Sequence, residues 1–210
     1  MTVVYPRVMP TRGIGLQRFE LRRVDFLSPR TDGRLNGITA GFPLWTATWT
    51  LTATTPERGQ AWRAWVSSLR GPQRHLIGMD LTARLPIAYR TVGLGAFDGD
   101  AASWSVNTDR DVLTLTGLPT GFALAPGDYV GFRWGGGTKL ALVRILEAVT
   151  GATVSFAIEP ALPSLVPGSA VAHVKDAGCL MRLTSETELG DIGVSRVLSG
   201  KIAAVQDLIP

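Results

Sequence analysis

The chain has 210 residues, enough for one domain with a large insertion or for two small domains, each with its own core. Hydrophobic residues make up 45% of the sequence and charged residues 18%, which argues against a disordered chain. The 24 glycines and 13 prolines are spread over the whole length. Many short strands joined by tight turns give this distribution, so we expect a mainly β fold.

The formal net charge of +4 is unevenly distributed along the chain. Residues 1–90 contain 13 Lys and Arg against 5 Asp and Glu, a net charge of +8, and residues 91–210 contain 8 against 12, a net charge of −4. This asymmetry is compatible with nucleic acid bound by the first half, or with copies of the chain that meet basic face to acidic face in a ring. The arginines are scattered and accompany no recognised nucleic-acid motif, so direct nucleic-acid binding is the weaker interpretation.

Cysteine usage and hydropathy bear on where the protein is made. Cys179 is the only cysteine, which excludes an internal disulfide and is compatible with a reducing cytoplasm. We expect its side chain to be small, apolar and buried. The N-terminal stretch MTVVYPRVMPTRGIGL has no apolar run of signal-peptide length, and no other run approaches a membrane span. The sequence therefore predicts a soluble protein with no membrane insertion and no classical export signal.

The first predicted elements are a strand and an arm. LQRFELRRVDF, residues 16–26, predicts a half-buried strand with a bulge at Arg22–Arg23. The next segment has three turn signals in succession, among them Asp32-Gly33 and Asn36-Gly37. We therefore expect a loop or a short hairpin arm within residues 28–41.

A strand with strict alternation follows, over about residues 44–54. Alternation of period two predicts one buried face and one face of threonines. The buried parity holds Trp45, Ala47, Trp49, Leu51 and Ala53, and the other parity holds Thr46, Thr48, Thr50, Thr52 and Thr54.

A helix is predicted directly after this strand, over about residues 56–70. Thr55 suits the N-cap, and Pro56 suits the first turn because its missing N–H costs nothing there. Gly71 suits the left-handed position after the helix, and Pro72 cannot continue it.

The helix places further indoles, Trp62 and Trp65, on its apolar stripe. With Trp45 and Trp49 these rings would form either a stacking platform for sugars or bases, or one shared core. A strand and a helix joined by a short connection pack face to face, so we prefer the shared core.

The remaining segments predict two units. HLIGMDL and PIAYRTV, residues 75–81 and 86–92, predict strands of the first unit. CLMRLTSETEL and VLSGKIAAVQDLI predict a closing hairpin of the same unit. The predicted organisation is a β domain of residues 1–97 and 177–210 that carries the helix, with a small β-barrel or sandwich inserted at residues 98–176. The segments that predict the inserted strands are DVLTLTGLP, GDYVGFRW, TKLALVRILEAV, TVSFAIEP and AVAHVKD.

We predict no catalytic site, because the only histidine bases are His75 and His173. His173 lies within an alternating strand and His75 follows the helix, and both positions favour ordinary sheet or surface side chains over a general base. A hydrolase that uses either imidazole is the last-ranked alternative. One cysteine and two distant histidines do not make a zinc site.

No metal or cofactor site is predicted either. The segment 98–111 contains Asp98, Asp100, Asp109 and Asp111 but lacks the central glycine and terminal glutamate of a calcium loop, so solvated turns are preferred. The glycines of RWGGGTK, residues 133–139, lack the spacing of a phosphate-binding loop and predict a hairpin connection.

Five segments together carry a resemblance that covers about residues 16–205. They are the strand LWTATWTL, the Trp-rich helix PERGQAWRAWVSSLRGP, the strand HLIGMDL, the barrel introduced by LAPGDYVGFRW, and the closing CLMRLTSETEL. Their order resembles that of tail proteins of long-tailed bacteriophages, and the nearest type is the distal tail protein or a related baseplate component.

The resemblance implies a tail-tube-like β-sandwich or split barrel with one packed helix and an inserted small β-barrel. It implies a structural virion protein of the tail tip, made in the host cytoplasm, that forms a homohexameric ring between the tail tube and the tip complex. Partners would be the tail tube protein, the tape-measure protein and tip or hub proteins, with DNA passing transiently through the lumen. The inserted barrel would be either an adhesive module or a spacer.

Two alternatives to the distal tail protein remain open. Another tail component, such as a tube, terminator or hub protein, has a similar pattern. A monomeric carbohydrate-binding β module, with Trp45, Trp49 or Trp104 stacking on glycans, belongs to a different class.

Overall fold

The computed structural model describes residues 4–29, 31–190 and 198–208, with only the backbone at Ala53, Thr54 and Leu198. In this part of the chain the fold is mainly β with several sheets and one α-helix, which confirms the predicted class. In chain order the strands are β1 (Arg7–Val8), β2 (Ile14–Arg22), β3 (Asp25–Pro29), β4 (Leu35–Thr39), β5 (Leu44–Thr54), β6 (Leu76–Met79), β7 (Ser103–Val106), β8 (Val112–Thr116), β9 (Ala123–Leu124), β10 (Tyr129–Trp134), β11 (Lys139–Ile145), β12 (Val149–Thr150), β13 (Thr153–Glu159), β14 (Val171–His173), β15 (Gly178–Leu183), β16 (Glu188–Leu189) and β17 (Leu198–Gln206). Helix α1 spans Pro56–Leu69.

The first sheet has seven strands in the order β1-β6-β15-β17-β5-β2, with β16 also paired to β17. β1 runs parallel to β6 and the other pairs are antiparallel. On β5 the side chains of Trp45 and Trp49 are fully buried, whereas Thr46, Thr48 and Thr50 are half-buried on the other face. The predicted two-faced strand is therefore confirmed, and its predicted positions Ala53 and Thr54 lie outside the described side chains.

Helix α1 begins and ends close to its predicted bounds. Thr55 is the N-cap and Pro56 opens the first turn, as predicted. Gly71 has the expected left-handed backbone, with φ 62°. The C-cap residue Arg70 is left-handed as well, with φ 52°, which the sequence did not predict.

The second sheet has six antiparallel strands in the order β14-β10-β11-β13-β8-β7. A short 3-10 turn, Gly135–Gly137, joins β10 to β11, which confirms the predicted hairpin connection. The segment before β7 contacts β14, since the backbone N of Ala101 donates a 2.9 Å hydrogen bond to the carbonyl of Ala172. Only an isolated bridge pairs these segments, so the strand pairing of the described residues closes no barrel.

The strands of the two larger sheets come from different parts of the chain. The first sheet uses residues 7–79 and 178–206, and the second uses residues 103–173. Each sheet carries an apolar cluster, and the cluster of the first sheet also contains Tyr129 and Leu142 from strands β10 and β11. The two predicted domains, residues 1–97 with 177–210 and residues 98–176, stay a prediction.

Three local predictions are wrong. The segment 86–92 is not a strand, because its backbone bonds are local and include a 3-10 turn at Ile87–Tyr89. The bulge expected at Arg22–Arg23 is absent from the described pairing, and the irregular register of β2 lies between Ile14 and Leu16. Asn36-Gly37 is part of strand β4 rather than a turn.

Candidate functional site

The two histidines lie in different surroundings. His75 Nε2 lies 2.8 Å from Asp207 Oδ2, which is also hydrogen-bonded by Arg182. His173 is 5% exposed, and burial, followed by the charge of Arg133, lowers the pKa of its imidazole. Within the described residues neither ring is hydrogen-bonded to a serine or cysteine, so no nucleophile is activated by them there.

The four aspartates of segment 98–111 do not converge. Asp98 accepts a hydrogen bond from the backbone N of Asp100, and Asp100 forms an ion pair with Arg133. Asp111 accepts a 2.7 Å bond from Asn107 Nδ2 in the turn before β8. Among the described residues, no three His, Cys, Asp or Glu side chains are grouped closely enough to hold a metal ion.

The indoles of the strand-helix joint are core residues, as predicted. Trp45 and Trp49 are fully buried, and Trp62 and Trp65 are 1% and 3% exposed in the same apolar cluster. Trp62 Nε1 and Trp65 Nε1 donate to backbone carbonyls before β2, at 3.0 and 2.9 Å. These four rings are therefore unavailable for stacking on a ligand. Trp104 is half-buried, and its indole N–H donates to the Ala170 carbonyl at 2.7 Å.

A hairpin, which we call the arm (residues 24–29 and 31–42), exposes several large apolar side chains. Strands β3 and β4 form it, so the hairpin rather than the loop is present, but it begins at Asp25, within the segment predicted as the preceding strand. Arg30 lies outside the described residues. Phe26 pairs with Ile38, and Leu27 with Gly37, so the two pairs point to opposite faces. The exposed large apolar side chains of the arm are Val24 at 48%, Phe26 at 62%, Leu27 at 68%, Leu35 at 65%, Ile38 at 69% and Phe42 at 39%.

The base of the arm is fixed on the second sheet. Arg23, between β2 and β3, forms an ion pair with Glu159 at the end of β13. Beyond that point every residue of β3 and β4 is exposed. The arm is therefore attached at one end and projects from the two sheets.

A second surface feature is a cleft between the two sheets, which we call the inter-sheet cleft. It has a volume of about 420 Å³. Its apolar part contains Val8 of β1, Ile77 and Met79 of β6, and Leu140 of β11. Its charged and polar lining residues are Arg84, Asp98, Asp100, Arg133, His173, Lys175 and Asp176.

The polar rim of the cleft is largely organised by ion pairs. Arg84 Nε lies 2.6 Å from Asp176 Oδ1, and Arg133 pairs with Asp100. The Nδ1 atom of His173, in the wall, is buried and has no hydrogen-bond partner among the described residues. Lys175 and Asp98 are exposed at the rim and offer charges of both signs to a bound segment.

A polar and aromatic joint holds the two sheets together. Tyr129 Oη donates to Asp80 Oδ2 at 3.3 Å and accepts from Arg144 Nη2 at 3.0 Å. The Arg144 guanidinium also lies 4.8 Å above the ring of Trp45. Gln17 of the edge strand β2 donates to Asp80 as well. These contacts connect strand β2, from which the arm continues, to both sheets.

No protein-family model matches the chain, and no curated protein matches it. Among the described residues, no helix has the length and hydropathy needed to cross a membrane. The functional inference therefore depends on the surfaces described above and on the order of elements along the chain.

Sequence reasoning found the position of the arm but missed its apolar residues. The signal was present, since Phe26 and Leu27 are consecutive and so fall on both faces of any strand. The inter-sheet cleft had no comparable signal, because Val8, Leu140 and Lys175 are far apart in sequence and meet only through the pairing of β1 with β6 and of β14 with β10.

Proposed function

We propose that the protein is a structural component of a long-tailed bacteriophage tail that assembles into a ring at the distal end of the tail tube. The observation that carries this proposal is the arm, whose apolar side chains are exposed on both faces. A two-stranded hairpin of this kind is marginally stable alone in water, and an exposed apolar surface marks an interaction site. Assembly into a ring would cover the apolar surface of the arm.

The specific proposal comes from the order of elements over residues 16–205, which resembles that of the distal tail protein. The finer fold proposed with it is a tail-tube-like sandwich or split barrel, with residues 98–176 as an inserted small barrel. The distribution of strands between the two larger sheets supports the insertion, and the bond from Ala101 to Ala172 supports the curling of the second sheet.

The proposed partners are other copies of this chain in a hexameric ring, the tail tube and tape-measure proteins, and the tip or hub proteins. DNA would pass transiently through the ring, and the role is structural rather than enzymatic. The hydrogen bond of His75 to Asp207 and the burial of His173 support a structural role for these two side chains. The burial of Trp45 and Trp49 likewise favours a scaffold over a glycan-binding module.

Native mass spectrometry and negative-stain microscopy of the purified protein test the proposal. The expected result is a ring of six copies, and antibody labelling of phage particles should mark the tail tip. Labelling along the tube or at the head-proximal end would identify a tube or terminator protein instead. A strictly monomeric protein that is absent from particles would contradict the proposal.

A further inference from the structure

The arm needs a partner surface that the described part of its own chain does not supply. Leu27 and Leu35 on one face and Ile38 on the other are 65–69% exposed. Because both faces are apolar, contact with a single flat surface would leave one of them in water. The arm therefore fits a recess better than a plane.

The inter-sheet cleft is such a recess. Val8 in its lining is 62% exposed, and Ile77, Met79 and Leu140 continue the apolar surface inward. Its volume of about 420 Å³ has room for large apolar side chains. The rim then offers Lys175 and Asp98 to the polar residues of an entering segment.

The arm and the cleft are built on different strands of the two larger sheets. In the first sheet the arm continues from β2, one edge strand, whereas the cleft adjoins β1 and β6 at the other edge. In the second sheet the base of the arm contacts β13, whereas the cleft adjoins β14 and β10. A projection and a separate recess on the same chain allow head-to-tail association of copies, and such contacts close into a ring when the rotation permits.

We propose that the inter-sheet cleft receives the arm of a second copy of this chain. This deepens the proposed function and rests on it, since a ring requires self-association. The arm has roughly the 20 residues that one side of a standard protein interface contains. It also carries Asp25, Asp32 and Arg34, which are exposed and complement the rim residues Lys175 and Asp98 in charge.

Two variants test the two sides of this contact one at a time. The arm variant carries Leu27→Asp and Ile38→Asp, one on each face, and leaves the cleft intact. The cleft variant carries Val8→Asp, with Val8→Lys as a second version that introduces the opposite charge. Val92→Asp is the matched control, because Val92 is 77% exposed and lies outside both surfaces. Circular dichroism and the melting temperature establish that each variant is folded.

Sedimentation velocity then gives the decisive result. We expect the wild type and the Val92→Asp control to assemble, and the arm and cleft variants to be monomers when studied separately. An equimolar mixture of the two variants should form a dimer and nothing larger, because one intact arm meets one intact cleft.

Each contrary outcome has its own meaning. A cleft variant that assembles as the wild type does, or a mixture that stays monomeric at the highest soluble concentration, overturns the assignment of the cleft and leaves a ring formed by other contacts. A wild type that is monomeric at every concentration overturns both this inference and the proposed function.

Discussion

At the scale of single residues, the indoles of helix α1 combine burial with directed hydrogen bonds. Trp62 and Trp65 meet edge to face with ring centroids 5.5 Å apart, and each indole N–H bonds a carbonyl of the segment before β2. The helix therefore packs against the sheet and is also hydrogen-bonded to that segment.

Truncation of either indole should strongly destabilise the protein. We expect Trp62→Ala or Trp65→Ala to lower the free energy of unfolding by about 3–5 kcal/mol, because the substitution leaves a cavity and an unpaired backbone carbonyl. Urea unfolding followed by circular dichroism measures the loss. Trp65→Phe is the control and should cost less, since it keeps an aromatic ring. A negligible loss accompanied by defective assembly would place these rings at an interface instead.

Asp207 makes the stability of the fold depend on pH. Burial alone would raise the pKa of its carboxyl, but the hydrogen bonds from His75 and Arg182 outweigh burial and hold the pKa below its ordinary value. A carboxyl with a lowered native pKa stabilises the fold above the pKa of the unfolded chain. That contribution is lost as the pH falls through the native pKa.

Asp207→Asn should therefore destabilise the protein near pH 7, by about 1–3 kcal/mol for charged hydrogen bonds. The difference from the wild type should shrink in acid, once the wild-type carboxyl is itself protonated. Chemical unfolding at neutral and acidic pH measures this, with the exposed substitution Glu188→Gln as control. A loss of equal size at both pH values would mean that the carboxylate charge is not involved.

At the scale of elements, helix α1 ends in two consecutive left-handed residues. Arg70 has φ 52° and Gly71 has φ 62°, and a side chain at position 71 would meet nothing within 4 Å. At position 71 the backbone conformation therefore decides the effect of a substitution, and the side chain of Arg70 is exposed.

Substitutions at the two positions should change the free energy of unfolding in opposite directions. Arg70→Gly should raise the free energy of unfolding by about 0.5–1 kcal/mol, because glycine adopts this conformation without steric cost. Gly71→Ala should lower it by about 1 kcal/mol for the converse reason. Thermal and urea unfolding of the two variants give both values. Equal and small effects would show that the helix end relaxes to other backbone angles.

The elements also show which parts of the fold follow from local sequence. Strand β5 and helix α1 were predicted closely, because alternation, Pro56 and Gly71 act within a few residues. The segment 86–92 was mispredicted as a strand because its conformation depends on a distant group. The backbone N of Ile87 bonds the buried carboxylate of Asp128, and the ring of Tyr89 stacks on Phe122. No pattern within 86–92 reveals those partners.

At the scale of the whole molecule, the charge asymmetry is partly satisfied within one chain. Among the described ion pairs, three join an arginine of residues 1–90 to a carboxylate of residues 91–210. These pairs are Arg23–Glu159, Arg84–Asp176 and Arg90–Asp128. Part of the uneven charge is therefore paired within one molecule, where exposed ion pairs contribute little. The case for a ring depends on the arm and the cleft rather than on net charge.

The joint around Tyr129 should make the two sheets unfold as one unit. Tyr129 belongs to the apolar cluster of the first sheet although it lies on β10. The centroid of its ring lies 5.6 Å from that of Trp45 and 6.0 Å from that of Phe19, both in edge-to-face contact. We expect one calorimetric transition for the wild type. Tyr129→Ala removes the ring that both sheets share, so it should separate the melting into two transitions.

Tyr129→Phe is the matched control, because it keeps the ring and removes only the hydroxyl bonds to Asp80 and Arg144. It should melt in one transition with a loss of about 1 kcal/mol. Tryptophan fluorescence reports mainly on the first sheet, whose cluster holds four of the six indoles, and far-UV circular dichroism reports on both sheets. For Tyr129→Ala the two signals should diverge. If they coincide, contacts other than this ring couple the sheets, and the relative positions of the arm and the cleft do not depend on it.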